Sequence, residues 1–223
     1  QKTYIMGILK FSRLYDLPAY SSELVMKKAE RMIKAGVNII DVSMYNAHDI
    51  NDQKSESEKL SQLLPLIRNI KNTYSQVVIS IYTGKYEVAK EALDAGADMI
   101  IEPIPLKYNE RMLQLAAKRN VPIVLMHNQT FINQAPSPLT SISDVIREIQ
   151  SNISFALGLG IKRENIIIEP GIGFGRSTKD NFLILRQLSS FKYLNVPILV
   201  GLPRNSFLGE ALRGKIAIVG TTA

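Results

Sequence analysis

A parallel α/β fold is what the sequence predicts, and three observations predict it. Short runs rich in Ile and Val recur at residues 4–9, 38–42, 77–81, 99–101, 122–126, 166–168 and 197–201. They are apolar throughout rather than alternating, the pattern of strands buried on both faces. Amphipathic helical patterns lie between them at 22–35, 57–71, 86–95, 109–118, 143–159 and 179–188. A small repeat joins the two kinds of segment: Ala35-Gly-Val-Asn-Ile-Ile40 resembles Ala95-Gly-Ala-Asp-Met-Ile100, and residues 158–168 follow the same scheme more loosely. Each copy reads as a helix end, a left-handed glycine and a buried strand. Strand and helix in alternation leave two architectures, a (β/α)8 barrel and a doubly wound sheet.

The elements follow in order. The first run leads into an irregular stretch, 10–20, and then a helix. That helix carries Leu24, Val25, Ala29, Met32 and Ile33 on one face and Lys27, Lys28, Glu30 and Arg31 on the other, with Ser21 or Ser22 as its cap. The second run ends near Asp41 and is followed by the polar stretch 43–55. The fourth is followed by Glu102, with Pro103 and Pro105 shaping the turn. The fifth ends at Met126-His127-Asn128, before the polar stretch 129–140. The sixth runs into the Gly-rich string Glu169-Pro-Gly-Ile-Gly-Phe-Gly-Arg176. In a barrel the three polar stretches all overhang the functional end. Seven strands are counted, so a barrel built from this chain is expected to lack its eighth strand and last helix. Residues 1–223 read as a single domain, without linker or low-complexity segment.

Composition narrows the chemistry. The chain has 223 residues, no cysteine and two histidines, His48 and His127. Disulfides, thiolate metal sites and cysteine nucleophiles are excluded, and no metal ligand set is read from the residues. Lys and Arg number 27 against 20 Asp and Glu, a net charge of +7 spread along the chain. This suits a small anionic ligand and not a nucleic-acid arm. No apolar run reaches membrane-span length and no signal peptide is visible, so a cytoplasmic protein is expected.

Chemistry-bearing residues gather at strand ends. Glycines 171, 173 and 175 let backbone approach a flat ligand or an anion, and Arg176 follows them. The spacing is neither a dinucleotide fingerprint nor a Walker loop. Arg204 and Ser206 follow the seventh run and could bind an anion. A lone strand-end histidine such as His127 reads more readily as packed and hydrogen-bonded than as a catalyst. Asp41, Glu102 and Glu169 are candidate acid/base carboxylates.

Together, Ile5-Met-Gly-Ile-Leu9, Ala35-Gly-Val-Asn-Ile-Ile-Asp41, Ile79-Ser-Ile81, Ala95-Gly-Ala-Asp98, Pro122-Ile-Val-Leu-Met-His127, Glu169-Pro-Gly-Ile-Gly-Phe-Gly175 and Val200-Gly201 with Arg204 and Ser206 resemble dihydropteroate synthase. The order and spacing match from residue 4 to the chain's end. The resemblance decides for the α/β (β/α)8 TIM barrel. It implies folate biosynthesis: a pterin pyrophosphate and p-aminobenzoate give dihydropteroate and pyrophosphate, with Mg²⁺. It implies a pterin or other small anionic ligand held by Glu102, Met126, Glu169, Gly171, Phe174, Gly175, Arg204 and Ser206. Anion-binding candidates are Lys10, His48 and Arg204, and a homodimer is a possible assembly.

Several positions depart from that pattern. Lys10 stands for the Asn that serves the metal, and a cation there repels Mg²⁺ rather than ligating it. Asn46, Ala47, His48 and Asp49 stand for Ser-Thr-Arg-Pro. Tyr82 replaces an Asp, Ile101 an Asn, and Asn205 a Lys. Glu102 and Glu169 each replace an Asp. The reading that follows is a family member with degraded synthase activity. The alternatives are an active transferase with an unusual pocket, or another phosphate-binding barrel enzyme using Gly171–Arg176 and Arg204.

Overall fold

The computed structural model describes residues 3–10, 22–43, 56–128 and 141–201. The chain divides into two compact units, Gln1–Ile101 and Glu102–Ala223.

In the first unit the order is β1 (Met6–Lys10), α1 (Ser22–Lys34), β2 (Ile39–Ser43), α2 (Glu56–Thr73), β3 (Val78–Tyr82), α3 (Tyr86–Asp94) and β4 (Met99–Glu102), whose last residue opens the second unit. The strands pair in chain order and all in parallel. Asp41 of β2 lies beside Ile8 of β1 and Ser80 of β3, and Tyr82 lies beside Ile101. Parallel neighbours need a crossover, which α1, α2 and α3 supply. The apolar runs are buried as their composition requires: Leu9, Ile40, Val42, Ile79, Ile81 and Ile100 are inaccessible, as are Leu63, Ile67 and Ile70 of α2.

The second unit continues with a 3-10 turn (Leu106–Tyr108), α4 (Glu110–Arg119), β5 (Ile123–Met126), α5 (Ile142–Gly158), β6 (Ile166–Glu169) and α6 (Thr178–Arg186). β5 and β6 are parallel, with Met126 beside Glu169. Ser141 and Ser177 cap α5 and α6. Each hydroxyl accepts the amide three residues on, from Asp144 and Asp180, and donates to that residue's carboxylate. These caps fix where the two helices leave the strand-end loops.

The repeat seen in the sequence is a repeated helix stop. Gly36, Gly96 and Gly160 have φ of 91°, 111° and 88°. The amides after them reach back five residues, Val37 to Met32, Ala97 to Ala92 and Ile161 to Ala156. Those bonds satisfy the last carbonyls of each helix and turn the chain into the next strand. The seventh run differs from expectation. Among the described residues it forms one parallel bridge, Ile198 with Ile168, rather than a strand. Pro197 has no amide to donate, so the pairing begins with its carbonyl accepting from Ile168 at 3.0 Å. The expected lack of an eighth strand and last helix, and the cap at Ser21, concern residues outside those described. No described helix is long and apolar enough to cross a membrane.

Candidate functional site

The strand ends of the second unit carry most of the candidate residues. Glu102 closes β4 in full burial. Its Oε1 accepts from the Ile104 amide at 2.7 Å and its Oε2 from Asn109 Nδ2 at 2.6 Å. Burial pushes its carboxyl up to about 8, against the pull of those two donors. Both oxygens thus already serve their own turn. Asn128 supports the same turn by donating to the Pro103 carbonyl at 3.1 Å.

Glu169 closes β6, beside Met126 of β5, and both are buried. Its Oε2 accepts the Gly171 amide at 2.9 Å, while its Oε1 is buried and accepts no hydrogen bond of ordinary geometry. Burial pushes this carboxyl too up to about 8; the amides of Gly171 and Ile172 and the charge of Arg176 draw it back in part. A buried acceptor left open in this way is the kind of group a ligand donor satisfies. The turn after it is tied by Asn181, whose Oδ1 accepts from Gly173 and whose Nδ2 donates to the Arg176 carbonyl. Gly171, Gly173 and Gly175 all have positive φ, and the Phe174 amide donates to the Gly171 carbonyl. Phe174 is half-buried.

His127, just past β5, is a packed and hydrogen-bonded histidine, in keeping with the reading by residue type. Its Nδ1 meets Arg176 Nη2 at 2.7 Å and its Nε2 meets Glu148 Oε2 at 2.7 Å. Arginine only donates, so Nδ1 accepts and Nε2 carries the proton. Burial and the neighbouring Arg176 charge hold the imidazole below its ordinary range, against the opposing pull of Glu148. Nothing in the sequence marked Glu148, which arrives from α5, or Asn109 as partners.

In the first unit, Asp41 is buried at the centre of β2. Ser80 Oγ donates to its Oδ1 at 2.6 Å. Burial pushes the carboxyl up to about 7, and Ser80 opposes this. Tyr82 and Ile101, side by side at the ends of β3 and β4, are half-buried and buried respectively. Lys10 is the last residue of β1. His48, Arg204 and Ser206 lie outside the described residues. Among the described residues no group of three or more His, Asp or Glu could hold a metal ion.

Comparison with known proteins decides the family. The family model described as pterin binding enzyme matches residues 12–221. The chain belongs to the dihydropteroate synthase family of pterin binding enzymes. It is 36% identical to the dihydropteroate synthase of Clostridium beijerinckii, over all of this chain and 83% of that protein. It is 34% identical to the Bacillus subtilis dihydropteroate synthase, over 95% of this chain and 74% of that one. Among solved structures, dihydropteroate synthase from Xanthomonas albilineans with 4-aminobenzoic acid matches with a TM-score of 0.86 at 28% identity, covering 98% of this chain and 80% of that one. The same enzyme in complex with 7,8-dihydropteroate matches at 0.83 and 28%, with the same coverage. The α/β barrel class expected from the sequence is the class of this family.

Proposed function

We propose that the chain is a divergent dihydropteroate synthase homologue, one domain over residues 1–223, that binds a pterin or another small anionic ligand and has a weakened synthase reaction. The observation that supports this best is the contrast between the two strand-end carboxyls. Glu169 keeps one buried oxygen unspent, whereas Glu102 has both engaged by Ile104 and Asn109. At two further positions that the resemblance assigns to the pterin, Ile101 offers no hydrogen bond and Tyr82 brings no negative charge.

The family reaction breaks the bond between the pterin methylene carbon and a pyrophosphate oxygen, which leaves with the electron pair. The arylamine nitrogen of p-aminobenzoate then bonds to that carbon and gives up a proton. Glu169 serves the pterin by accepting from its ring N–H groups, and in its ionised form opposes the positive charge that develops. Met126, Gly171, Phe174 and Gly175 provide stacking surface and close backbone approach. Lys10, His48, Arg204 and Ser206 serve the leaving anion. No step is assigned to Mg²⁺. A cytoplasmic homodimer is the setting proposed.

The test is a synthase assay with 6-hydroxymethyl-7,8-dihydropterin pyrophosphate and p-aminobenzoate, with and without Mg²⁺, run beside the Bacillus subtilis enzyme. Each buried hydrogen bond lost costs about 1–3 kcal/mol, so two lost contacts predict turnover roughly 30-fold lower or worse. Calorimetry is expected to show pterin binding that E169Q weakens. Turnover equal to the relative's overturns the reading of weakened activity, and no heat from a folded sample overturns the pterin ligand.

A further inference from the structure

Three side chains of the second unit form a line that the family reaction does not call on. Glu148 of α5 accepts from His127 Nε2, and His127 Nδ1 accepts from Arg176 Nη2, each at 2.7 Å. His127 is itself pinned, its amide donating to the Glu169 carbonyl at 2.9 Å. The guanidinium is thereby aimed by a neutral imidazole rather than neutralised in a close carboxylate fork.

Arg176 is 9% exposed, and its buried Nε–H makes no hydrogen bond. That Nε lies 3.4 Å from the point where a Cβ on Gly171 would stand. Gly171 is the residue whose amide holds Glu169 Oε2. An unspent buried donor with full charge and an unspent buried acceptor are thus brought to the same glycine.

We propose that Arg176 is a positioning residue for Glu169: fixed by His127 and Glu148, it sets how much of Glu169 is carboxylate and therefore how tightly the chain grips a heterocycle that presents ring N–H donors. This rests on the reading that Glu169 holds the ligand. The groups around it fit the role. His127, just past β5, is neutral. Glu148 from α5 and Asp180 from α6 act on Arg176, and Arg176 is the side-chain charge that acts on Glu169. In low dielectric a neighbouring cation, even one partly offset by Glu148 and Asp180, favours the ionised acid.

The experiment follows Glu169 directly. Glutamate side-chain carboxyls are labelled with carbon-13, and the Glu169 resonance is assigned by its loss in E169Q and titrated by NMR in the free protein. The wild-type midpoint is expected at about 8. R176M is expected to raise it, and R176K to leave it near the wild-type value. A folded R176M with an unchanged midpoint overturns the proposal, since a merely structural role alters stability and not the titration. If R176M does not fold, E148Q replaces it. Glutamine still accepts from the imidazole but no longer offsets the guanidinium charge, so the Glu169 midpoint is expected to fall, and no change overturns the proposal. Calorimetric titration with 6-hydroxymethylpterin separates the two claims. If E169Q binds as the wild type does, the ligand reading fails while the NMR result still judges Arg176.

Discussion

The carbonyl oxygen of His127 occupies the space in which a side chain on Gly171 would begin. A Cβ there falls far inside van der Waals contact with that oxygen, and the glycine's φ is +89°. Backbone and backbone meet, so no rotamer change relieves the clash. G171A is expected to destabilise the chain by at least about 2 kcal/mol through overpacking and left-handed strain. Urea unfolding of the purified variant measures it.

Glu102 makes stability depend on pH. Its carboxyl is raised from 4.5 in a free chain to about 8 in the fold. The folded state therefore holds the proton more tightly than the unfolded state. Its contribution is complete below about pH 4.5 and is lost as pH rises toward 8, at up to about 1.4 kcal/mol per pH unit for one group. E102Q is expected to flatten that part of the stability profile. Glutamine still accepts from Ile104, and a flipped Asn109 amide accepts from it. Denaturant midpoints measured across this window give the slope for both proteins.

Ser80 holds the buried Asp41 at 2.6 Å from the neighbouring strand. S80A removes the donor and leaves a carboxyl oxygen unsatisfied, at a cost of about 1–3 kcal/mol. The Asp41 midpoint, about 7 in the wild type, is expected to move higher, because the lost bond was the influence lowering it. D41N with S80A is expected to recover part of the loss. Thermal unfolding of the two variants is the comparison to make.

Lys71 pins the far end of β3 and β4. Its Nζ donates to the Val77 carbonyl at 3.2 Å and to both oxygens of Asp98 at 3.0 Å, and Asp98 Oδ2 also accepts the Ile79 amide at 2.7 Å. D98A undoes all but one of these and is expected to cost about 1–3 kcal/mol. K71M leaves the Ile79 bond intact and is expected to cost less. Equilibrium unfolding in urea ranks the two.

How much of this was legible in the sequence depends on range. Helix limits such as 22–35 and 143–159 fall within a residue or two of Ser22–Lys34 and Ile142–Gly158, because apolar spacing and a glycine stop are local signals. The strand at 197–201 reduces to a bridge at Ile198, since an apolar run does not count ladder bonds. The strand-end carboxyls were visible as residues, yet their states were not. Whether Glu102 is spent depends on Asn109 seven positions on, and whether Glu169 is open depends on where a turn places Gly171. His127 reads from its type and place as hydrogen-bonded, and it is, but its partners Glu148 and Arg176 come from 21 and 49 residues away. No spacing rule reaches that far.

The two engaged nitrogens of His127 also govern what reagents meet. An acylating probe for imidazole needs an accessible lone pair. Here Nδ1 lends its pair to Arg176, Nε2 bears the proton given to Glu148, and the ring is buried. Acylation at His127 is therefore a report on unfolding: the folded protein hides both ring nitrogens and the unfolded chain offers them, without a cysteine having to be introduced.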